Sequence, residues 1–153
     1  MPSLQLQTSS NFRKYTGLDV AESTLPSDNT PSHLRWRGDI IDSYSKGIWL
    51  IFTNEVSLYS IVFEDSEKDV IETFYSRFDE LVSPYSQKST PCISYDSKVN
   101  QSLIASMNNA RFLVERQLDK NLAVEQINKL PYKPIGWSTP TEALHKLLET
   151  ELG

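Results

Sequence analysis

The stretch from residue 34 to residue 63 constrains the fold most. Three segments rich in β-branched and aromatic residues follow one another there, namely Leu34–Ser43, Lys46–Thr53 and Val56–Phe63. Residues of this kind favour strands. The breaks at Ser45–Gly47 and Asn54–Glu55 are short enough for hairpin turns, and the run Gly47–Phe52 is continuously apolar, as in a strand covered on both faces. The sequence therefore predicts a three-strand antiparallel meander as the centre of a sheet.

Helical patterns follow the meander. Apolar residues from Val70 to Val82 recur at the spacing of one helix face, which predicts a helix over Ser66–Val82 capped by Ser66. A second long pattern predicts a helix over Asn100–Lys120. The other predicted elements are a strand Ser3–Gln7, a short helix from Ser9 or Ser10 to Gly17, an exposed connection Ala21–Ser32, a strand Cys92–Tyr95, a short helix Leu122–Leu130 and a terminal helix with the capping box Thr139–Glu142.

This order places the helices apart from a mostly antiparallel sheet, which indicates an α+β fold with helices packed against the sheet. The chain has 153 residues, the size of a single domain, and we predict one domain over residues 1–153.

The residue inventory argues against several chemistries. Cys92 is the single cysteine, so the chain cannot form an internal disulfide or a Cys-based zinc site, and we expect Cys92 to be buried. His33 and His145 lie far apart, with no ligand-type residue at metal-binding spacing beside either. Phosphate-binding and nucleophile motifs are absent as well. We predict no catalytic residue, no metal and no cofactor.

The charge distribution bears on partners. The net charge of −5 is carried by residues 64–82, which hold seven acidic and two basic residues. This argues against a nucleic-acid partner, since such proteins have a basic footprint. The acidic helix face is either a surface for a basic partner or simply solvated; it comprises Asp65, Glu67, Asp69, Glu72, Asp79 and Glu80. No long apolar run or signal peptide occurs, so we expect a cytoplasmic protein without a membrane partner.

A basic and aromatic cluster, Arg35-Trp36-Arg37, opens the meander. Alternation along a strand places both arginines on one face and Trp36 on the other. One interpretation is an anion or nucleic-acid contact made by the arginines. The other is that Trp36 lies in the core while the arginines are solvated and pair with Asp39 or Glu55.

Carboxylates raise a second hypothesis. Three antiparallel strands, a helix, a strand and a helix follow the order of the ribonuclease H fold, and residues 128–144 resemble the segment that closes the catalytic domain of insertion-sequence transposases. That resemblance implies metal-binding carboxylates at the first and fourth of these strands and on a later helix, here Asp39 or Asp42, Asp96 and Glu115. Glu115 lies in the second half of its helix, so the residues argue against convergence on paired metal ions.

Separated motifs in the same order resemble a family of small bacterial proteins of unknown function. They comprise Trp36–Asp39, Ile48–Asn54, Val56–Phe63, Ser106–Asn108, Asn128, Ile135–Trp137, Pro140 and Glu142–Leu144. The family pattern usually has Asn at the position of Asp39. The resemblance covers most of the chain and implies no established activity.

Asparagines in these motifs have two interpretations. Asn108 and Asn128 are poor helix formers and are expected to brace the loop Pro131–Trp137. Alternatively, Asn54, Asn108 and Trp137 line a shared pocket. Together with the cluster above, the candidate binding surface is Arg35, Trp36, Arg37, Asn54, Asn108 and Trp137.

These features favour a non-enzymatic interaction or regulatory protein with a protein partner, carried by a mobile element. The alternative is a nucleic-acid-processing enzyme, or its inactive relative, on a ribonuclease H-like scaffold. The oligomeric state and the identity of the partner are left open by the sequence.

Overall fold

The computed structural model describes residues 4–17, 31–43, 47–65, 69–85, 101–120 and 123–152, except the side chain of Glu125, together with the backbone of residues 93–96. Several predictions lie outside these residues. They concern Ser66 as a helix cap, the environment of Cys92, the turn at Ser45-Lys46 and most of the connection Ala21–Ser32.

Five strands and four α-helices form the described chain. The strands are β1 (Leu4–Thr8), β2 (Arg35–Ser43), β3 (Gly47–Asn54), β4 (Ser60–Glu64) and β5 (Ile93–Asp96). The helices are α1 (Ser10–Thr16), α2 (Val70–Val82), α3 (Gln101–Asp119) and α4 (Pro140–Leu152). Three 3-10 segments connect them, Ser32–Leu34, Val124–Lys129 and Lys133–Ile135.

The sheet has the strand order β4-β3-β2-β1-β5. The predicted meander is confirmed, because β2 pairs antiparallel with β3 and β3 with β4, over eight and five residue pairs. The N-terminal strand β1 lies between β2 and β5 and is parallel to both, over four residue pairs each. The sheet is therefore antiparallel over most of its pairing and parallel at one side.

Helices cover both faces of this sheet, which is the α+β class that the sequence predicts. On the first face, Phe12 of α1 packs edge-on against Phe52, and Phe74 of α2 stacks on the same ring at 4.2 Å between centroids. On the second face, α3 buries Leu103, Met107, Ala110, Val114 and Leu118 against Ile41, Ile51 and Val62. The apolar character of both faces of β3 follows from this arrangement, since each face meets a helix layer.

The helix ends confirm two predictions and correct one. Ser9 caps α1, Gly17 ends it in the left-handed conformation, and the backbone N–H of Glu142 donates to the Thr139 hydroxyl in the predicted capping box of α4. The cap predicted at Ser66, which lies outside the described residues, is corrected to Asp69. α2 begins at Val70, because the carboxylate of Asp69 accepts hydrogen bonds from the backbone N–H groups of residues 71 and 72.

The connection after β3 also differs from the prediction. The prediction of a two-residue turn at Asn54–Glu55 is wrong, since β4 begins only at Ser60 and residues 55–59 form a longer turn. The side-chain oxygen of Asn54 accepts hydrogen bonds from the backbone N–H groups of Val56 and Ser57, which pulls the chain into this turn. Leu58 then adopts a positive φ of 62°. Further along, the predicted helix Leu122–Leu130 is the shorter 3-10 helix Val124–Lys129.

Among the helices in the described residues, none combines the length and apolar character needed to cross a membrane.

Candidate functional site

The three residues of the basic and aromatic cluster lie in three different environments. Trp36 is 1% exposed, packs edge-on against Phe74 and Phe78, and donates its indole N–H to the carbonyl of His33 at 2.8 Å. This is the core position of the second interpretation, and Trp36 contributes no accessible surface.

Arg35 is partly exposed at the start of β2. Its Nε lies 3.7 Å from a carboxylate oxygen of Glu55, and its Nη2 donates to the hydroxyl of Ser32 at 3.0 Å. The Glu55 pair is the one that the second interpretation names. A partly exposed pair of this kind contributes little to stability. The contacts of Arg35 with Glu55 and Ser32 hold the beginning of the strand in place.

Arg37 differs from the solvated arginine that the second interpretation expects. It is only 6% exposed, on the sheet face that α3 covers, and its Nη1 atom is buried without a hydrogen-bond partner. Burial lowers the pKa of its guanidinium, the charge of Asp39 opposes that shift, and the charge of Arg13 adds to it. The guanidinium of Arg37 is thus shielded from solvent while one of its donor atoms has no acceptor, which is rare in folded proteins.

Asp39 lies on the same face, two residues along β2. Its Oδ1 accepts hydrogen bonds from the Ser9 hydroxyl at 2.7 Å and the Ile40 backbone N–H at 2.8 Å, and its Oδ2 lies 3.6 Å from Nη1 of Arg111 on α3. The carboxylate is thus engaged by donors and a cation, which is a structural role.

The strands that carry Asp39 and Asp96 of the two-metal hypothesis are not adjacent in the sheet. Because β1 lies between β2 and β5, the strands of Asp39 and Asp96 are two strand spacings apart, about 9.5 Å. Among the described side chains, which do not include Asp96, no group of three His, Cys, Asp or Glu residues is arranged to hold a metal ion.

Asn54 is fully buried, and its side chain links the turn after β3 to the backbone of residues 32 and 35. Its Nδ2 donates to the carbonyls of Ser32 and Arg35 at 3.0 and 3.2 Å, and its Oδ1 accepts from the N–H groups of residues 56 and 57 and from the Ser57 hydroxyl. All of its hydrogen-bonding capacity is used by the protein. A pocket that offers the Asn54 amide to a ligand is therefore excluded in this structure.

Asn128 and Asn108 differ from each other. The carboxamide of Asn128 is 3% exposed and makes two 2.8 Å hydrogen bonds to the N–H and carbonyl of Ser60, in the way that a neighbouring strand pairs with an edge. Asn108 lies on the exposed side of α3 and accepts a long hydrogen bond from Arg111. The prediction that both brace the loop Pro131–Trp137 is wrong, since Asn128 holds β4 and Asn108 faces solvent.

Trp137 lies in a compact loop and is 66% exposed. The backbone N–H of Trp137 donates to the Tyr132 carbonyl at 2.9 Å, and the Tyr132 N–H donates to the Ser138 carbonyl at 3.1 Å. Gly136 and Trp137 are consecutive left-handed residues, with φ of 66° and 65°. Four of the six predicted surface residues are therefore neighbours in the sheet, because Arg35, Trp36 and Arg37 are consecutive in β2 and Trp36 pairs with Asn54, and the exposed aromatic among the six is Trp137.

Two acids of the acidic helix face have structural roles. Asp69 caps α2, and Asp65 accepts a hydrogen bond from the Tyr15 hydroxyl. Glu72 and Glu80 are exposed, while Glu67 lies outside the described residues. Glu80, Arg77 and Leu81 also face β4 across a groove of about 290 Å³, which contains none of the predicted site residues.

A contact that the sequence does not reveal joins the end of α4 to the segment just before β2. Glu151 at the end of α4 accepts hydrogen bonds from the backbone N–H groups of Ser32 and His33 and from Nδ1 of the His33 ring. Burial raises the pKa of Glu151, but these hydrogen bonds together with the charge of His33 outweigh burial and hold the pKa below its ordinary value. A sequence separation of 118 residues left no local signal for this contact.

The sequence matches no protein-family model and no curated protein. The resemblances to a family of small bacterial proteins and to the transposase segment therefore stay predictions.

Proposed function

We propose that this protein is a non-enzymatic interaction module that binds a protein partner through Trp137. The observation that supports the proposal is a large aromatic side chain held 66% exposed on a strained backbone. The resemblance to small bacterial proteins suggests the setting, which is the bacterial cytoplasm and the accessory cargo of a mobile element.

The backbone of Trp137 makes the exposure unusual. A left-handed conformation costs a residue with a side chain roughly 1–2 kcal/mol, and bulky residues seldom adopt it. Packing of the indole does not offset that cost, because two thirds of the residue remains in water. Strain of this kind, held in place by surrounding structure, is a feature of binding and switch sites.

Hydrogen bonds within the loop hold the backbone of Trp137 in a defined conformation. Besides the two hydrogen bonds that close its base, the N–H of Gly136 donates to the Lys133 carbonyl at 3.0 Å and that of Ser138 to the Ile135 carbonyl at 3.2 Å. A loop that is ordered before binding loses less conformational entropy on binding. Trp is also the residue type most enriched among interface hot spots.

The residues around the loop indicate the chemistry of the partner. Lys129 and Lys133 are exposed on either side of Leu130, which is itself 37% exposed. An apolar anchor with a basic rim fits a partner surface that has an apolar pocket and acidic residues at its border.

The test compares Trp137→Ala with Phe112→Ala. Phe112 is a matched control, because it is an aromatic side chain exposed to 56% on α3. Partners crosslinked to the wild-type protein in its own cells are identified, and their affinity for each purified variant is then measured. We expect Trp137→Ala to weaken binding by at least thirtyfold, the effect of a hot spot of about 2 kcal/mol, and Phe112→Ala to change it less than threefold. Equal affinities of Trp137→Ala and wild type would overturn the proposal.

A further inference from the structure

Three arginines meet at one end of the parallel half of the sheet. Arg37 is the third residue of β2 and is paired in register with Gln7 near the carboxyl end of β1. Arg13 of α1 donates to the carbonyl of Thr8, the last residue of β1, at 2.6 Å. Arg111 reaches the same place from α3 through its contact with Asp39. We call these three residues the arginine cluster.

Buried polar atoms of the arginine cluster lack hydrogen-bond partners. They are Nη1 of Arg37 and Nε of Arg111, and the neighbouring Oε1 of Gln7 is in the same condition. Buried donors are rarely left unused in folded proteins, and a bound ion or water is a usual explanation where they are. Two guanidinium donors on one face of the sheet are therefore free to bind an acceptor.

The charge of the cluster is not balanced by the carboxylate beside it. Asp39 is one negative charge facing Arg111 and Arg37, and its Oδ1 is already occupied by Ser9 and the backbone of Ile40. The Oδ2 contact to Arg111 is 3.6 Å long, beyond the 2.7–2.9 Å of a close charge-assisted hydrogen bond. β5 ends at Asp96, in register with Gln7, and its side chain lies outside the described residues.

The topology places the arginine cluster where ligands bind in sheets of this kind. From the carboxyl end of β1 the chain enters α1, whose Phe12 packs on the first face of the sheet. After the carboxyl end of the adjacent strand β5 it forms α3, which covers the second face. Neighbouring parallel strands whose connections leave on opposite faces form a crevice at their carboxyl ends, and such crevices bind ligands in open α/β sheets.

We propose that the arginine cluster binds an oxyanion, either a phosphate group or a carboxylate, with Arg37 and Arg111 as the principal donors. The planar guanidinium fork matches both groups, since each presents two oxygens at the spacing of two N–H donors. Arg111 has 31% of its side chain exposed and forms the outer side of the site, whereas Arg37 forms its buried floor. The proposal is independent of the role of Trp137.

The experiment follows the arginine side chains directly. Arginine Nε–H resonances are recorded while inorganic phosphate, acetate or chloride is added at constant ionic strength. We expect saturable shifts of the Arg37 and Arg111 resonances with phosphate or acetate, and no saturation with chloride. The anion with the lower Kd identifies the ligand class. Absence of saturation with both phosphate and acetate would overturn the proposal.

Two variants separate binding from folding. Arg77→Gln is the control, because Arg77 is exposed on α2, which covers the opposite face of the sheet, and it should retain the wild-type Kd. Arg37→Gln should weaken anion binding at least tenfold. If Arg37→Gln does not fold, Arg111→Gln removes the more exposed donor and should weaken binding at least threefold. An unchanged Kd in Arg111→Gln would refute the assignment of the site.

Discussion

Two turns among the described residues each hold a non-glycine residue in the left-handed conformation. The side chain of one packs against the core, and the side chain of the other is exposed. Leu58, with φ of 62°, packs against the core cluster beneath α3, whereas Trp137, with φ of 65°, is 66% exposed. The backbone cost is similar, roughly 1–2 kcal/mol for each. At Leu58 burial of apolar surface offsets that cost during folding. At Trp137 folding supplies no such burial, which leaves the side chain available to a partner.

The two turns also differ in whether their hydrogen bonds reach other parts of the molecule. The turn after β3 is tied to the rest of the molecule, because Asn54 also bonds to the carbonyls of Ser32 and Arg35. The segment at Ser32 is held in turn by Glu151 of α4. The backbone hydrogen bonds described for residues 132–138 stay within the loop. We therefore expect changes in the first turn to affect global stability and changes in the second to affect binding.

The largest effect is expected for Asn54→Ala. The variant loses five hydrogen bonds and leaves the N–H and hydroxyl of the buried Ser57 without an acceptor, while the carbonyls of Ser32 and Arg35 keep one backbone partner each. Each buried polar group left unpaired costs about 1–3 kcal/mol, and we expect a total loss of about 3–4 kcal/mol in the free energy of unfolding. Urea denaturation followed by circular dichroism measures this loss.

Asn54→Asp is the matched control for that prediction. Asp retains the oxygen that accepts from residues 56 and 57 but sets its second oxygen against the carbonyls of Ser32 and Arg35, so its stability should lie between those of wild type and Asn54→Ala only at a pH where the new carboxyl is protonated. A loss below about 1 kcal/mol in Asn54→Ala would show that solvent satisfies these groups, and the contrast between the two turns would then fail.

A smaller effect is expected for Glu151→Gln. This variant replaces charge-assisted hydrogen bonds to Ser32 and His33 by neutral ones, and we expect a loss of about 1–2 kcal/mol near pH 7, reduced by the partial exposure of the carboxylate. Thermal or urea unfolding across a pH series gives the loss at each pH.

The pH dependence has a defined sign. Because the pKa of Glu151 is lower in the folded than in the unfolded state, its contribution is complete above the unfolded value of about 4.3 and is lost as the pH falls through the folded value. The stability difference between wild type and Glu151→Gln should therefore be present at pH 5.5 and shrink below pH 4.3 or so. A difference that stays constant down to pH 3 would contradict the role of the carboxylate charge.

The turns also show which parts of the structure can be predicted from the sequence. The meander and the capping box of α4 depend on local patterns, namely alternation and the Thr-Pro-Thr-Glu sequence, and both were predictable. The longer turn at Leu58 was not, because it depends on one Asn side chain bonding to residues on two sides. The arginine cluster could not be predicted for the same reason, since it depends on contacts between residues that are far apart in the sequence. Arg13, Arg37 and Arg111 meet through the insertion of β1 beside β2, and no local pattern fixes which strand becomes a neighbour.

The smallest effect isolates the backbone of Trp137. Trp137→Gly and Trp137→Ala both remove the indole, but only Gly adopts φ of 65° without a steric cost. Ala retains the strain of roughly 1–2 kcal/mol, while Gly loses about 0.5–1 kcal/mol to the entropy of the unfolded chain. We expect Trp137→Gly to be more stable than Trp137→Ala by about 0.5–1 kcal/mol, measured by urea unfolding. Both variants should lose partner binding equally, because binding depends on the indole. If Trp137→Ala instead loses more than about 2 kcal/mol relative to wild type, the indole stabilises the fold as Leu58 does, and the two turns are alike.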